Sequence, residues 1–370
     1  MQKNSVIRLK SILDGSGDLD SRFKAVRSRI FPIVPSQYDV TNLCNMTCTG
    51  CMYFEGDGWF KGDVNQSFDQ WLDFFQSEST RGVNFPHIGG AEPSLNLPAL
   101  RAAAKVFKRG VIYTNGGKKI PEEINLAIQV SIWSDDETEE EVRGNRFFNT
   151  ALKHYSGDSR AIFVCTLSKA SAPSIEAIVG KCAEHGVQIT FNHFSRPNHR
   201  EYAADYLRDW QLENNADSID LSMSKSETAE VHAKIEALKT LYPETIVFST
   251  HYAQQLASED LYTLDSQGIA TNCASRLDDT MRHYLPDMSR EMGTKCCTPN
   301  VDCSSCSLYA MAYASITDRL EDFVSSETRL TEWLDIVETW ESIFCRKTPI
   351  SEAVIIPARE LTAQEPSLIF

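Results

Sequence analysis

The sequence predicts an α/β protein in which strands and helices alternate to form an incomplete (β/α)6 barrel. From Tyr38 onward, short apolar runs alternate with longer stretches of helical period, the pattern of repeated βα units around a parallel sheet. The chain has 370 residues, of which 42% are hydrophobic and 24% are charged, so it has enough apolar material for a sizeable core. We therefore expect one large α/β unit with appended segments.

Six short apolar runs have the length of buried strands. The predicted strands are residues 38–41, 85–88, 111–114, 129–133, 161–167 and 187–194. Between these runs, apolar positions recur at helical spacing. The predicted helices are residues 68–78, 98–108, 121–128, 137–154 and 172–185.

The segments outside these units are less regular. Two amphipathic segments, 5–13 and 22–30, predict helices packed on the outside of the main domain. Beyond the sixth unit, the pattern predicts a helix at 226–241 and a strand-like run at 245–250. Apolar residues at helical spacing in 308–344 predict one or two closing helices.

These segments suggest a division of the chain into three parts. Residues 1–35 form an N-terminal helical extension, and residues 36–250 form the partial barrel. Residues 251–370 form a cysteine-rich module with the closing helices, in which 269–306 has little periodicity and is predicted to be built from loops.

Charge and cysteine content exclude several functional classes. Lys and Arg number 36 against 51 Asp and Glu, a net charge of −15, which argues against extended contact with nucleic acid or anionic lipid. No apolar run is long enough for a membrane span or a secretory signal, so we expect a cytoplasmic protein. In a reducing compartment the 11 cysteines favour metal binding or catalysis over a disulfide framework.

Three cysteines follow the first predicted strand in a short loop. Cys44, Cys48 and Cys51 have the spacing C-x3-C-x2-C. Thiolates suit iron–sulfur or zinc chemistry, and three protein ligands leave one metal position open. A structural zinc knuckle is the alternative, although a fourth local ligand is missing.

This loop resembles the signature of the radical S-adenosylmethionine (SAM) superfamily. The resemblance implies a partial radical SAM barrel and a [4Fe–4S] cluster whose open iron binds SAM, so that SAM is cleaved to a 5′-deoxyadenosyl radical. It also implies a reductant protein such as a flavodoxin or a ferredoxin. Gly50 departs from the family, which usually has an aromatic residue before the last cysteine; Tyr53 is a candidate to replace its stacking against adenine.

Three further motifs at successive predicted strand ends strengthen the resemblance. The second strand leads into Gly89-Gly90-Ala91-Glu92-Pro93, similar to the family's GGEP motif with one residue inserted. Gly89 and Gly90 are expected to allow close backbone approach to SAM, and Glu92 to accept from the SAM ammonium group. The third and fourth strands supply the other candidates for SAM binding: Asn115 of a TNG motif, and Ser131 with Arg143, whose counterparts in the SPASM/twitch subgroup hold the SAM carboxylate.

A second group of cysteines lies near the C-terminus and includes a C-x2-C pair. It resembles the auxiliary-cluster module of SPASM/twitch enzymes, which implies a second [4Fe–4S] cluster with four ligands. Structural zinc and free buried thiols are the alternatives. The candidate ligands are Cys273, Cys296, Cys297, Cys303 and Cys306, with the choice between Cys296 and Cys297 open.

The remaining cysteines have other expected roles. Cys165 and Cys182 lie in a predicted strand and helix and are expected in the core. Cys345 stands alone and is either a spare thiol or a distant ligand.

The substrate is not identified by the sequence, and no residue is predicted to be catalytic. On the sixth strand, alternation allows either Asn192 or His193 to face the barrel interior, but not both. The leading hypothesis is oxidation or rearrangement of a small natural-product intermediate, helped by the auxiliary cluster. The alternatives are a radical SAM maturase acting on a short peptide, and a non-catalytic zinc or iron–sulfur protein.

Overall fold

The computed structural model describes residues 2–48, 51, 53, 66–195, 221–257, 261–293, 295–296, 298 and 301–346. Within these residues, seven parallel strands form one sheet in the order β6-β5-β4-β3-β2-β1-β7. Sequential order from β1 to β6 is the arrangement of repeated right-handed βα units. The predicted α/β partial barrel is therefore confirmed.

The strands agree closely with those predicted. Two of them, β3 and β5, have the predicted bounds; β1, β2, β4 and β6 differ from the prediction by one to three residues at an end, and β7 was not predicted. The seven strands are β1 (Pro35–Asp39), β2 (Phe85–Gly89), β3 (Val111–Thr114), β4 (Ala127–Ile132), β5 (Ala161–Leu167), β6 (Ile189–His193) and β7 (His283–Tyr284).

The described helices surround this sheet. The short 3₁₀ turns Pro93–Leu95, Ala172–Ser174, Cys303–Ser305 and Leu320–Phe323 accompany them. The helices are α1 (Lys3–Gly15), α2 (Gly17–Arg29), α3 (Phe68–Thr80), α4 (Leu97–Val106), α5 (Asp136–Arg143), α6 (Phe148–Tyr155), α7 (Ile175–Glu184), α8 (Lys225–Leu241), α9 (Thr250–Ala257), α10 (Tyr309–Asp318) and α11 (Glu327–Phe344).

Two helix predictions were wrong. Residues 121–128 contain no helix. The Arg160 guanidinium donates hydrogen bonds to the carbonyl oxygens of Ile120, Pro121 and Ile124 at 3.2, 2.8 and 2.6 Å, and these bonds replace the backbone bonds of a helix. The predicted helix 137–154 is two helices, α5 and α6. Gly144 separates them with a φ of 71°, a left-handed conformation that ends a helix.

Two predictions for the later chain also need correction. The strand-like run 245–250 pairs only through an isolated bridge between Ile246 and Ile189, and Thr250 begins α9. The region 269–306, predicted to be built from loops, contains β7. Tyr284 on this strand pairs with Tyr38 of β1, and the two rings stack 5.6 Å apart.

Alternation along the strands separates an apolar outer layer from a polar interior. Tyr38, Ile88 and Ile112 are fully buried in the main hydrophobic core, which includes residues of the surrounding helices. Residues of the opposite parity, such as Gln37 and His87, line an internal cavity. Helices α10 and α11 reach this interior, so the residues after the barrel units complete its wall.

Candidate functional site

The loop that carries the first three cysteines is attached by backbone hydrogen bonds to the segment after β2. The Val40 amide donates to the Gly89 carbonyl at 3.1 Å, and the Ala91 amide donates to the Thr41 carbonyl at 2.9 Å. The Glu92 amide continues this ladder to the Leu43 carbonyl, also at 2.9 Å. The first and second sequence motifs therefore form one structural unit.

Gly90 allows this close approach. Its φ is 105°, and a Cβ at this position would lie 2.5 Å from the Thr41 carbonyl oxygen. Glycine was expected here because it lets a ligand approach the backbone. In the structure, glycine is required because the cysteine loop packs directly against this position. The predicted contact of Gly89 and Gly90 with SAM stays a prediction, although both line the cavity.

Replacing Gly90 by Ala is expected to destabilise the fold more than the same change at Gly82. The φ of Gly82 is 106°, but a Cβ there would have nothing within 4 Å, so the two variants share backbone strain and differ in the clash. Backbone strain alone costs about 1–3 kcal/mol. We expect the free energy of unfolding of G90A to fall by at least ~1 kcal/mol more than that of G82A. Chemical denaturation of both variants measures the difference, and equal losses would contradict the proposed packing.

The Glu92 carboxylate connects the GGAEP and TNG motifs. It is 1% exposed, and Oε1 accepts from the Thr114 hydroxyl at 2.6 Å and from the Ser94 amide at 3.0 Å. Oε2 accepts from the Asn115 amide at 2.8 Å. All of these donors are uncharged, and no cation among the described residues pairs with the carboxylate. Glu92 is therefore suited to bind the ammonium group of a ligand.

Asn115 connects the TNG motif to the cysteine loop. Its Nδ2 donates to Asn45 Oδ1 at 2.7 Å, and its own Oδ1 accepts from the Gly117 amide at 2.9 Å. Asn45 lies directly after Cys44, so this hydrogen bond joins the first and third motifs.

Arg143 connects the fourth motif to the same loop. Its Nε donates to Cys48 Sγ at 3.4 Å, and its Nη1 donates to the Ser131 carbonyl at 2.8 Å and to Glu139 at 2.7 Å. Although burial opposes its charge, Cys48 and Glu139 raise the pKa of this guanidinium. Ser131 thus meets Arg143 through its backbone, a contact that sequence reasoning had not foreseen.

The first three thiols have different surroundings. Burial and, after it, the neighbouring Cys48 raise the pKa of Cys44 to about 12. Such a thiol becomes a thiolate only when a metal is bound. Cys51 lies near Tyr53, whose pKa is raised by burial and then by Asp39 and Cys51.

The second cysteine group also comes together. Cys273 and Cys306 have Cys296 and Cys303 as electrostatic neighbours, and burial raises their pKa values to about 11 and 12. They lie against a small apolar cluster that includes Leu308. Cys297, the other candidate of the adjacent pair, lies outside the described residues.

A buried hydroxyl lies beside the second cysteine group. Burial, and then Cys306 and Cys273, raise the pKa of Tyr262, whose hydroxyl interacts with the Cys306 thiol and with Ser315. A sulfur-rich cluster held by these cysteines would also accept from this hydroxyl. No three His, Cys, Asp or Glu side chains in the described part of the chain are arranged to hold a single metal ion.

The other cysteines lie apart from both groups. Cys165 and Cys182 are fully buried core residues, as predicted. The charged neighbours of Cys345 are Arg109, Glu341 and Arg29, not another cysteine. The structure therefore favours the spare-thiol interpretation of Cys345.

An internal cavity of about 270 Å³ lies between the two cysteine groups. Tyr53, Gly89 and Gly90 line it beside the first group, while Ser275 and Thr298 line it beside the second. Cys296 Sγ lies 3.1 Å from the Thr298 hydroxyl, which ties that wall to the second group. A molecule in this cavity would be close to both groups.

The structure decides which polar residue of β6 faces inward. Asn192 lines the cavity and accepts from the Tyr309 amide at 2.9 Å. His193 points the other way, with its Nε2 2.7 Å from His232 Nε2 on α8. His87 lines the cavity, and its Nδ1 lies 2.6 Å from the Tyr113 hydroxyl.

Sequence reasoning missed a buried Asp–His pair in the same cavity. Asp39 lines the cavity from β1, and its Oδ2 lies 2.8 Å from Nε2 of His283 on β7. Their side chains are only 4% and 1% exposed. The signal was an acidic residue inside an apolar strand, but its partner is 244 residues away in a strand that was not predicted.

No family model and no curated protein matches the sequence. The fold, in contrast, is similar to that of solved structures. SuiB from Streptococcus suis, bound to the precursor peptide SuiA, superposes with a TM-score of 0.50 at 13% identity over 80% of this chain and 68% of SuiB. Native anSMEcpe with bound AdoMet gives a TM-score of 0.49 at 13% identity, covering 75% and 80% of the two chains.

At these identities the likeness establishes the fold alone, so the chemistry has to be argued from the site. None of the described helices is both long and apolar enough to cross a bilayer.

Proposed function

We propose that this chain is a radical SAM enzyme. The proposal rests on one observation: the four strand-end motifs are joined by the hydrogen bonds Asn115–Asn45, Glu92–Thr114 and Arg143–Cys48. Four motifs that are far apart in sequence thus meet at the carboxyl edge of a parallel sheet, where ligands of such sheets bind.

The residues present fit a cluster and SAM. Cys44, Cys48 and Cys51 would hold a [4Fe–4S] cluster, and the bound cluster would supply the electron that cleaves SAM to a 5′-deoxyadenosyl radical. Arg143 donates a hydrogen bond to Cys48 Sγ and would help to hold this ligand in place. The remaining predicted contacts would orient SAM: Glu92, Asn115, Ser131, Gly89, Gly90 and Tyr53.

With a second cluster at the C-terminal cysteines, the enzyme would carry out a net oxidation of its substrate or assist the substrate's rearrangement. Cys273, Cys296, Cys303 and Cys306 supply four thiols, the number that closes a cluster to other ligands. The proximity of these four thiols, which are electrostatic neighbours of one another, supports this assignment over scattered free thiols. A substrate in the cavity would then lie between the site of hydrogen abstraction and an electron acceptor.

Two classes of substrate are candidates, a small molecule and a short peptide. The cavity is partly open, and its volume of about 270 Å³ favours a small molecule or a single side chain. The likeness to SuiB, whose structure contains a precursor peptide, supports modification of a short peptide as the second candidate. An electron donor of the flavodoxin or ferredoxin type belongs to either proposal.

Anaerobic reconstitution of the full chain tests the proposed function. We expect about eight iron atoms per chain, four for each cluster, and formation of 5′-deoxyadenosine from SAM after reduction with dithionite. Four irons would contradict the second cluster. Bound zinc without SAM cleavage would contradict the whole proposal and favour the non-catalytic alternative.

A further inference from the structure

The internal cavity has a charge pattern that restricts what it can bind. Asp39 is an acidic residue in its wall, and the described lining residues include no Lys or Arg. Phosphorylated or carboxylated groups would therefore meet the Asp39 carboxylate, whose described partners are Gln37 and His283, and no Lys or Arg of the described lining. Such desolvated like charges are strongly unfavourable.

Asp39 is held in position by two neighbours. The Gln37 amide donates to its Oδ1 at 3.2 Å, and His283 Nε2 lies 2.8 Å from its Oδ2. Each carboxylate oxygen can accept more than one hydrogen bond, so capacity remains for a ligand donor. The carboxylate is thus preorganised on the rigid strands β1 and β7.

The rest of the cavity wall is suited to a ligand that has a flat or apolar part and carries a positive charge. Tyr113, Tyr309, Trp340 and Phe344 present aromatic surface to the cavity. Aromatic faces attract ammonium groups, most strongly where water is excluded. Burial lowers the pKa of His87 to about 4, so this side chain adds no competing positive charge at neutral pH.

The cavity is separate from most of the predicted SAM contacts. Glu92, Asn115, Ser131 and Arg143 do not line it, whereas Gly89, Gly90 and Tyr53 lie where the two regions meet. A ligand in the cavity would therefore adjoin SAM without replacing it.

We propose that this cavity binds an amine-bearing organic group, whose ammonium pairs with Asp39 and whose body packs against the aromatic wall. That this group belongs to the substrate rests on the proposed radical SAM function. Binding itself requires neither SAM nor electrons, so it can be tested separately.

The test uses three probes of similar size on the reconstituted full-length protein. Benzylamine, benzyl alcohol and benzoate differ in charge, and ligand-observed NMR gives their affinities without SAM or reductant. We expect benzylamine to bind at least about tenfold more tightly than benzoate, a difference of about 1.4 kcal/mol. Saturating SAM should not displace benzylamine.

Two variants locate the bound amine. Asp39→Asn should weaken benzylamine binding about tenfold or more and change benzyl alcohol binding by less than about threefold. Ala310→Phe, which fills the cavity from its wall, should abolish binding of both. Glu122→Gln is the matched control, because this carboxylate is 83% exposed and lies outside the cavity lining.

Two results would overturn the proposal, and a third would separate it from the proposed function. Equal affinity of the wild-type protein for benzylamine and benzoate would do so even if Asp39→Asn fails to fold. Displacement by SAM would assign the acidic site to the SAM ammonium group. Amine binding in a protein that cannot cleave SAM would leave this inference standing and remove the proposed function.

Discussion

Replacing Cys44, Cys48 and Cys51 together by Ala is expected to abolish 5′-deoxyadenosine formation while about half of the iron remains bound. The three thiols are predicted to hold the cluster with the open position. The C-terminal group contains its own four thiols, whose electrostatic neighbours are one another. Iron analysis and product assay on the same reconstituted sample measure both effects.

The complementary variant makes this experiment specific. Replacing Cys303 and Cys306 by Ala should remove the other half of the iron and leave SAM cleavage measurable. Cys345→Ala is the control, because this thiol lies beside Arg109, Glu341 and Arg29 and should affect neither property. Loss of all iron in the first variant, or unchanged iron in the second, would refute two independent clusters.

Replacing Arg143 by Met is expected to have the largest effect on stability of any single change at the site. Arg143 forms a buried ion pair with Glu139 at 2.7 Å, and the two side chains are 5% and 1% exposed. Burial already raises the pKa of Glu139 despite this partner. Removing the guanidinium leaves an uncompensated buried carboxylate, which costs about 3–5 kcal/mol. Chemical denaturation measures this loss.

A second substitution separates structural from binding effects. Glu139→Gln in the Arg143→Met background removes the unpaired charge and should restore most of the free energy of unfolding. SAM affinity should remain reduced about tenfold or more in the double variant, because the positive charge that is predicted to hold the SAM carboxylate is still missing.

The control is Arg146→Met, which removes a half-exposed pair with Glu140 and should change stability by less than about 1 kcal/mol. Recovery of full SAM affinity in the double variant would show that Arg143 has only a structural role.

The sequence was sufficient for the fold because its signals were local. Short apolar runs such as Val111–Thr114 are buried on the sheet, and the strand bounds follow from them. The same holds for the clustered cysteines, since their spacing is visible in the chain. Pattern recognition therefore identified the elements and the motifs that lie at their ends.

What the sequence could not reveal depends on contacts between distant residues. The absence of a helix at 121–128 depends on Arg160, which comes more than 30 residues later and takes its carbonyl oxygens. The Asp39–His283 pair depends on β7, whose two residues give no periodic signal. Hydrogen bonds of this kind are set by tertiary packing and have no local pattern.

The pairing of β1 with β7 also constrains how the chain acquires its structure during synthesis. Tyr38 and Tyr284 each donate to the buried Glu78 carboxylate, at 2.8 and 2.9 Å, so the edge of the first strand is completed by a segment almost 250 residues further on. Contacts of such high sequence separation form late, and a nascent chain presents its N-terminal part first. One edge of β1, the strand that leads into the first cysteine loop, therefore has no partner strand until β7 has been synthesised and most of the protein has left the ribosome.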